Sequence, residues 1–334
     1  MSVPRQPERL PRPCLDSHTH LDMLDAPVDD VLALAHSAGV TRVVTVGCDV
    51  GSSRWAASCA TGRDDVYAAV AIHPNDVLAA PPEALSVIEE LAARPSVVAV
   101  GETGLDYYWD RVPASVQQDW FRAHIAIAKR TGKALMIHDR DAHADVLRIL
   151  AEEGPPEHVV FHCFSGDAEM AKQCAEAGYV MSFAGTVTFS NAASLREAAR
   201  VAPLDLILAE TDAPYLTPMP NRGKPNTPAM TAWTIRYLAD LKSVDLADFC
   251  DTLTATATRV FALPAPDASA APSAPVTLSA PSAPPAPPAP SGLSAPSDPS
   301  APVGLSTPSA SVLPSVPSAP AAPRDERGQS RHFA

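Results

Sequence analysis

The sequence predicts a (β/α)₈ barrel, a TIM barrel, over residues 14–263, followed by a disordered Pro/Ala/Ser-rich tail over 264–334. Three observations lead to that class. Short β-branched runs recur, each followed by a stretch with helical periodicity, which is the pattern of βα units on a parallel sheet. Eight such units fit into about 250 residues, the size of one barrel rather than of two doubly wound domains. His, Asp and Glu residues fall at the ends of the predicted strands, where barrel enzymes assemble their sites.

The eight strands are expected at 14–17, 41–46, 66–72, 97–100, 134–137, 159–161, 179–183 and 206–209. Helical periodicity covers 28–37, 52–60, 83–93, 115–130, 142–152, 168–176 and 193–200, then 229–242 and 246–261. Pro82 and Glu83 suit a first helical turn, and Asp245 stands where a cap is needed before Leu246. Gly39, Gly132, Gly154 and Gly178 each fall where a helix should stop before the next strand.

Composition divides the chain. The 71 residues from Pro264 onward hold 18 of the 36 prolines and show no hydrophobic periodicity, so they read as an extended tail whose partner the sequence does not name. Residues 1–13 form a short N-terminal extension. The net charge of −13 belongs almost wholly to the first part, which argues against broad adhesion to duplex nucleic acid. The six cysteines include no C-x-x-C pair, as expected of free thiols in a reducing compartment. The first residues lack the apolar stretch of a secretion signal, and no run approaches the ~20 apolar residues of a membrane span. A cytoplasmic enzyme with no membrane partner is expected.

The first strand ends in Asp16-Ser-His18-Thr-His20. In extended backbone, residues two apart point to the same side, so His18 and His20 can present two imidazoles to one ion. Alone, a His-x-His reads equally as core or as metal site. The rest of the set decides the matter: His73 follows strand three, Glu102 follows strand four, His138 and His162 end strands five and six, and Asp212 follows strand eight. Buried charge must be paired or coordinated, and metal coordination explains this convergence. Six ligands, His18, His20, Glu102, His138, His162 and Asp212, exceed what one catalytic ion uses with room for water, so two divalent ions are expected. Glu102 is the natural bridge. No lysine lies at a strand end that could supply a carbamate instead, which also argues against a Schiff-base enzyme.

At this point a resemblance becomes specific. Asp16-Ser-His-Thr-His-Leu21, Gly101-Glu-Thr-Gly-Leu-Asp106, Ile137-His-Asp-Arg-Asp-Ala142, Phe161-His-Cys-Phe-Ser-Gly166 and Glu210-Thr-Asp-Ala-Pro-Tyr-Leu216 resemble, in order, the motifs of the TatD family of metal-dependent deoxyribonucleases. Ile72-His-Pro74 and the segment Arg222-Gly-Lys-Pro-Asn-Thr-Pro228 fit as well. The resemblance implies that His18, His20, Glu102 and Asp212 hold one ion and Glu102, His138 and His162 the other, with His73 at the substrate or in the outer shell. Two departures stand out. Asn75 follows His73-Pro74 where the family often has another His, and Thr256 stands where Asn is common in the terminal helix.

The expected activity is phosphodiester hydrolysis at single-stranded DNA ends, 3'-5' exonuclease-like, by a water activated between two ions of Mg, Mn or Zn. Asp212 is the expected general base as well as a ligand, with Glu102 catalytic as the bridge. Arg140, Arg222 and Lys224 are the cationic groups nearest the predicted rim and are assigned to phosphate. Tyr107, Tyr108 and Trp109 either stack on bases or pack over the barrel mouth. Two alternatives stand beside this reading. One is an amidohydrolase-like enzyme of the same fold, cleaving an amide, an ester or an aminoacyl-RNA bond. The other is a scaffold acting through its Pro-rich tail.

Overall fold

The structure, a computed structural model, describes residues 3–264; the tail expected over 264–334 lies, from residue 265 on, outside the described residues. The strands are β1 (Cys14–Thr19), β2 (Val40–Gly47), β3 (Val66–Val70), β4 (Val97–Asp106), β5 (Ala134–Arg140), β6 (Val159–Phe161), β7 (Val180–Phe183) and β8 (Ile207–Ala209). They pair in that order, each parallel to the next. The helices between them are α1 (Val28–Ser37), α2 (Val50–Cys59), α3 (Ala84–Ala92), α4 (Ala114–Thr131), α5 (His143–Glu153), α6 (Ala168–Glu176) and α7 (Ala193–Val201). Two more, α8 (Thr231–Lys242) and α9 (Leu246–Val260), follow β8. This is a (β/α)₈ barrel. No helix among the described residues is long and apolar enough to cross a membrane.

Alternation along the strands sorts the core into two layers. Leu15, Val44, Val46, Tyr67, Ala69, Val98, Met136, Val160, Val180 and Leu208 pack together inside the ring. Ala257, Val260, Phe261 and Leu263, at the end of α9 and just beyond it, join them. Val43, Ala68, Val70, Ile137, Phe161 and Phe183 face outward onto the helices. Asp245 starts α9 as expected, its side chain accepting the N–H groups of Ala247 and Asp248. An Asp49 and Ser52 capping box starts α2 at Val50, two residues before the sequence suggests.

The largest departure is in β4, which continues to Asp106, so Glu102 lies inside the strand and not after it. Gly101-Glu-Thr-Gly lacks the β-branched run that marks a strand in sequence. The ladder nevertheless shifts register after Val100 and resumes at Thr103 opposite Ile137. Two glycines permit this. A Cβ on Gly101 would collide with Met136, and one on Gly104 with the carbonyl of His138. Likewise β1 and β5 run two and three residues further than expected and include His18 and His138.

Ring closure is made at the level of those side chains. Beyond β8, the Asp212 N–H donates to the His18 carbonyl at 2.9 Å and the His20 N–H to the Ala213 carbonyl at 2.8 Å. Thr19 and Ala213 form a parallel bridge. Thr211 adds bonds from its N–H and its hydroxyl to the two oxygens of buried Asp16, at 2.9 and 2.5 Å.

Candidate metal centre

The Nε2 atoms of His18 and His20 stand 3.3 Å apart at the end of β1. Glu102 Oε2 lies 2.9 Å from His18 Nε2 and 3.9 Å from His20 Nε2. Asp212 Oδ1 lies 3.6 and 3.4 Å from the same two nitrogens. The other oxygen of Glu102 faces a second set: Oε1 is 3.1 Å from His73 Nε2, 3.3 Å from His138 Nδ1 and 3.6 Å from His162 Nε2. The His18 and His162 rings stack with centroids 4.0 Å apart, which joins the two sets. All six expected ligands thus converge, with Glu102 between them. Three groupings of these donors lie within 4.8 Å: His18, His20 and Glu102; His18, His162 and Asp212; His73, Glu102 and His138.

The donor set can be tested for its fitness to hold a cation, because each ring has two nitrogens and the outer one fixes the tautomer. His20 Nδ1 faces the Val46 carbonyl at 3.2 Å; a carbonyl only accepts, so the proton sits there and Nε2 is bare toward the centre. His138 Nε2 faces Asp106 Oδ2 at 3.2 Å, so in the neutral ring Nδ1 is bare toward Glu102. Among the described residues no lysine or arginine is paired with Glu102 or Asp212. Bare imidazole lone pairs and buried carboxylates directed at one another without a cationic side chain fit a bound metal. His73 differs. Its Nδ1 accepts the N–H of Asn75 at 3.1 Å, so in the neutral ring the proton is on Nε2, 3.1 Å from Glu102 Oε1.

Without a cation, the buried acceptors draw protons onto these rings: burial opposes a charge on His20, yet Cys48 and Asp212 lift it well above an ordinary imidazole. Burial pushes the Glu102 carboxyl up, but His162, His138, His18 and His73 outweigh it and hold it well below the usual carboxylate range. Burial, reinforced by the neighbouring His18, holds His162 well below an ordinary imidazole. Burial also opposes a charge on His138, yet Asp106 and Glu102 on its two nitrogens lift it to about 9. A cation between His138 and Glu102 would replace that proton.

Two carboxylates behind the ligands were not assigned from the sequence. Asp106 is held at about 2 because His138 and Asn75 overcome the effect of burial. Asn75 Nδ2 donates to its Oδ2 at 2.9 Å, so the residue that departs from the family pattern links His73 to the Asp106–His138 pair. Glu210, fully buried, accepts the Cys163 N–H at 2.6 Å and lies 3.5 Å from His162 Nδ1; burial raises it well above the usual range. Strand periodicity offers a signal for the first of these, since Glu102 and Asp106 are four residues apart and share a face.

Asp212 adopts φ of 54°, a conformation that costs roughly 1 kcal/mol or more in a residue other than glycine. Its own N–H on His18 and its carbonyl, which accepts from Tyr215 at 2.8 Å, hold it there. The expected substrate residues scatter more. Arg140 ends β5 with its guanidinium 3.8 Å over the Tyr108 ring. Arg222 is exposed and lies 4.2 Å from the Phe189 ring. Lys224 turns to the N-terminal extension and donates to the Val3 carbonyl at 3.4 Å. Its loop is tied down by Asn221, which exchanges two bonds with the Arg5 backbone at 2.8 and 2.7 Å.

Comparison with known proteins bears on what this centre does. The family model described as TatD related DNase matches residues 15–262. The chain belongs to that family. A metal-dependent hydrolase named TatD from Mycobacterium tuberculosis is 46% identical over 258 residues, covering 75% of this chain and 98% of that protein. The metal-dependent hydrolase YabD from Bacillus subtilis is 40% identical over 250 residues, covering 74% and 98%. Among solved structures, the TatD homolog YjjV from Escherichia coli superimposes with a TM-score of 0.72 at 27% identity, covering 75% of this chain and 98% of that one. A TatD family hydrolase from Entamoeba histolytica, 18% identical with a TM-score of 0.66, shares the fold; it covers 75% and 99%. This TatD-family chain is accordingly a metal-dependent hydrolase, with its His, Glu and Asp donors gathered at one end of the barrel.

Proposed function

We propose that the chain hydrolyses phosphodiester bonds at single-stranded DNA ends, acting from the 3' end, with two divalent ions. The observation that carries the proposal is Glu102, which turns one oxygen to His18 and His20 and the other to His138 and His162. His18, His20, Glu102 and Asp212 would hold one ion, and Glu102, His138 and His162 the other. When bound, such a pair supplies Lewis acidity and a water of lowered pKa. Asp212, at 6% exposure, would serve both as ligand and as the base that takes the proton of that water. His73, with Nε2 3.1 Å from Glu102 Oε1, helps the other imidazoles to keep the bridging carboxylate ionised. Arg140 and Arg222 bring positive charge to a phosphate at the rim.

The family description supports a nuclease over other hydrolases of this fold. Purified protein with Mg²⁺, Mn²⁺ or Zn²⁺ in turn is expected to release mononucleotides from a 5'-labelled single-stranded oligonucleotide, with activity lost to a chelator. Turnover of an amide, ester or aminoacyl-RNA substrate without nucleotide release under any of the ions would defeat the nuclease reading.

A further inference from the structure

We infer that Tyr108 and Trp109 form a stacking platform for one unpaired nucleobase, and that Asp106 fixes its position relative to the metal centre. The inference rests on the phosphodiesterase reading above. Asp106 is 1% exposed and divides its two oxygens between two tasks. Oδ1 accepts the backbone N–H groups of Tyr108 and Trp109 at 3.1 and 3.2 Å, a tight turn that sets both rings. Oδ2 faces His138 Nε2 and accepts from Asn75. One carboxylate therefore couples an aromatic pair to a ligand of the centre.

The pair has the features that a base and its flanking phosphates require. Tyr108 is 53% exposed, and its ring meets Trp109 edge to face at 4.8 Å and 89°. The β4–β5 pairing runs one residue beyond Asp106, with the Tyr107 N–H on the Arg140 carbonyl at 2.9 Å, which draws Arg140 against the rings. Its guanidinium carbon is 3.8 Å from the Tyr108 centroid and 5.7 Å from that of Trp109, and that of Arg111 is 4.8 Å from Trp109. The strand ends and the loops that lead from them to the helices carry four Lys or Arg side chains, Arg111, Arg140, Arg222 and Lys224. Two of the four lie on this platform. An inorganic phosphate would need the arginines but not the open ring, and an apolar peptide the ring but not the arginines. A nucleotide within a single strand uses both, since any base offers a π face and each phosphate a charge. The loops after β1, β2 and β3 carry Asp22, Asp49 and Asp76 and no Lys or Arg, so contact with a phosphate beside these rings falls to Arg111 and Arg140, which stand among Asp110, Asp139 and Asp141.

Binding without turnover tests the inference. Full-length protein held in chelator is titrated with a labelled oligothymidylate and with a fully abasic oligomer of the same length. Base stacking predicts that the native protein prefers the oligothymidylate by about tenfold or more. In the Tyr108→Ala/Trp109→Ala variant that preference should fall to about twofold or less, while Tyr108→Phe/Trp109→Phe, which keeps both rings, should restore it. Equal affinity of the native protein for the two oligomers, or a preference undiminished in the alanine variant, overturns the platform. The two readings fail separately. Base preference with no phosphodiester hydrolysed under any ion defeats the nuclease and leaves the platform, whereas hydrolysis without base preference does the reverse.

Discussion

Replacing Asp106 by Asn keeps the shape of the side chain and turns one acceptor into a donor, which makes the consequence for the metal centre specific. The two N–H groups of Tyr108 and Trp109 need an acceptor at Oδ1, so the new NH₂ must take the place of Oδ2. There it meets two donors, His138 Nε2–H and Asn75 Nδ2–H. His138 can relieve the conflict by moving its proton to Nδ1, the atom turned to Glu102, and a protonated nitrogen cannot bind a cation. The native carboxyl is held at about 2 against an ordinary value of 3.8. The ion assigned to Glu102, His138 and His162 should therefore bind roughly 10- to 100-fold more weakly. Losses of this size follow when the outer partner of a metal-bound His is removed. The ion assigned to His18, His20 and Asp212 should change little. Competition against a chromogenic chelator, with Mn²⁺ and then Zn²⁺, reads both sites without turnover. A folded Asp106→Asn protein that holds two ions with native affinity refutes the argument, and so does equal weakening of both.

Three further outcomes are expected. Glu102→Ala removes the only carboxylate common to both donor sets and should lower bound metal and turnover together; full metal occupancy with normal activity would remove Glu102 as the bridge. His124, fully buried, accepts the Ile72 N–H at 3.2 Å, and burial pulls its pKa to about 4 from an ordinary 6.5. The unfolded chain therefore binds a proton that the folded one refuses between those values. The contribution of His124 should be complete above about pH 6.5 and fall by about 3 kcal/mol as pH drops toward 4, while Asp16, lifted by burial to about 7, acts in the opposite sense. The difference in urea midpoints between the native and a His124→Gln protein should therefore change across that range, and a constant difference would show that His124 does not cause it. Gly104→Ala places a methyl against the His138 carbonyl at a positive φ of 139°, so β4 and β5 cannot keep their register. Metal binding should be lost even in protein that stays soluble, as read by the same chelator competition; native affinity would show that the strands yield without moving the ligands.

The parts of this molecule that could be read from its sequence are those fixed by local periodicity. The three-residue sixth strand, 159–161, and the helices at 28–37 and 168–176 are found where hydrophobic patterning sets them. The convergence of the expected donors could be read because period-two geometry and the strand-end rule act on neighbouring residues. The extension of β4 was not, since Gly101-Glu-Thr-Gly is a poor strand by propensity and exists as one only because β5 accepts it closely. Lys224 shows the opposite failure. A lysine near the rim suggests phosphate, but its ammonium meets the Val3 carbonyl, 221 residues away in sequence, and no local signal foretells that contact. Thr256, the other departure from the family pattern, is buried and donates to the Asp205 carbonyl at 3.2 Å, so the terminal helix keeps a polar anchor there.

The location of the centre follows from how a ring of strands must close. Neighbouring strands are joined through the helix between them, but β1 and β8 come from the two ends of the domain and must meet across a seam, where Ser17 Oγ donates to the Ala209 carbonyl at 3.2 Å. Here the seam is completed by the Asp212 N–H on His18 and the His20 N–H on Ala213, so the closing bonds run through three ligand positions or their neighbours. Expected ligands from the two ends of the domain meet only when the ring is shut, and the remaining three, Glu102, His138 and His162, come from β4, β5 and the residue after β6. A cation held by this set therefore draws together β1, β4, β5, β6 and the segment after β8, and its binding energy acts on the closed barrel and not on the open chain. That coupling gives a physical reason for burying so many ionisable groups at one end of an otherwise apolar core: the charge that would destabilise the barrel alone becomes, with a metal bound, a tie across its seam.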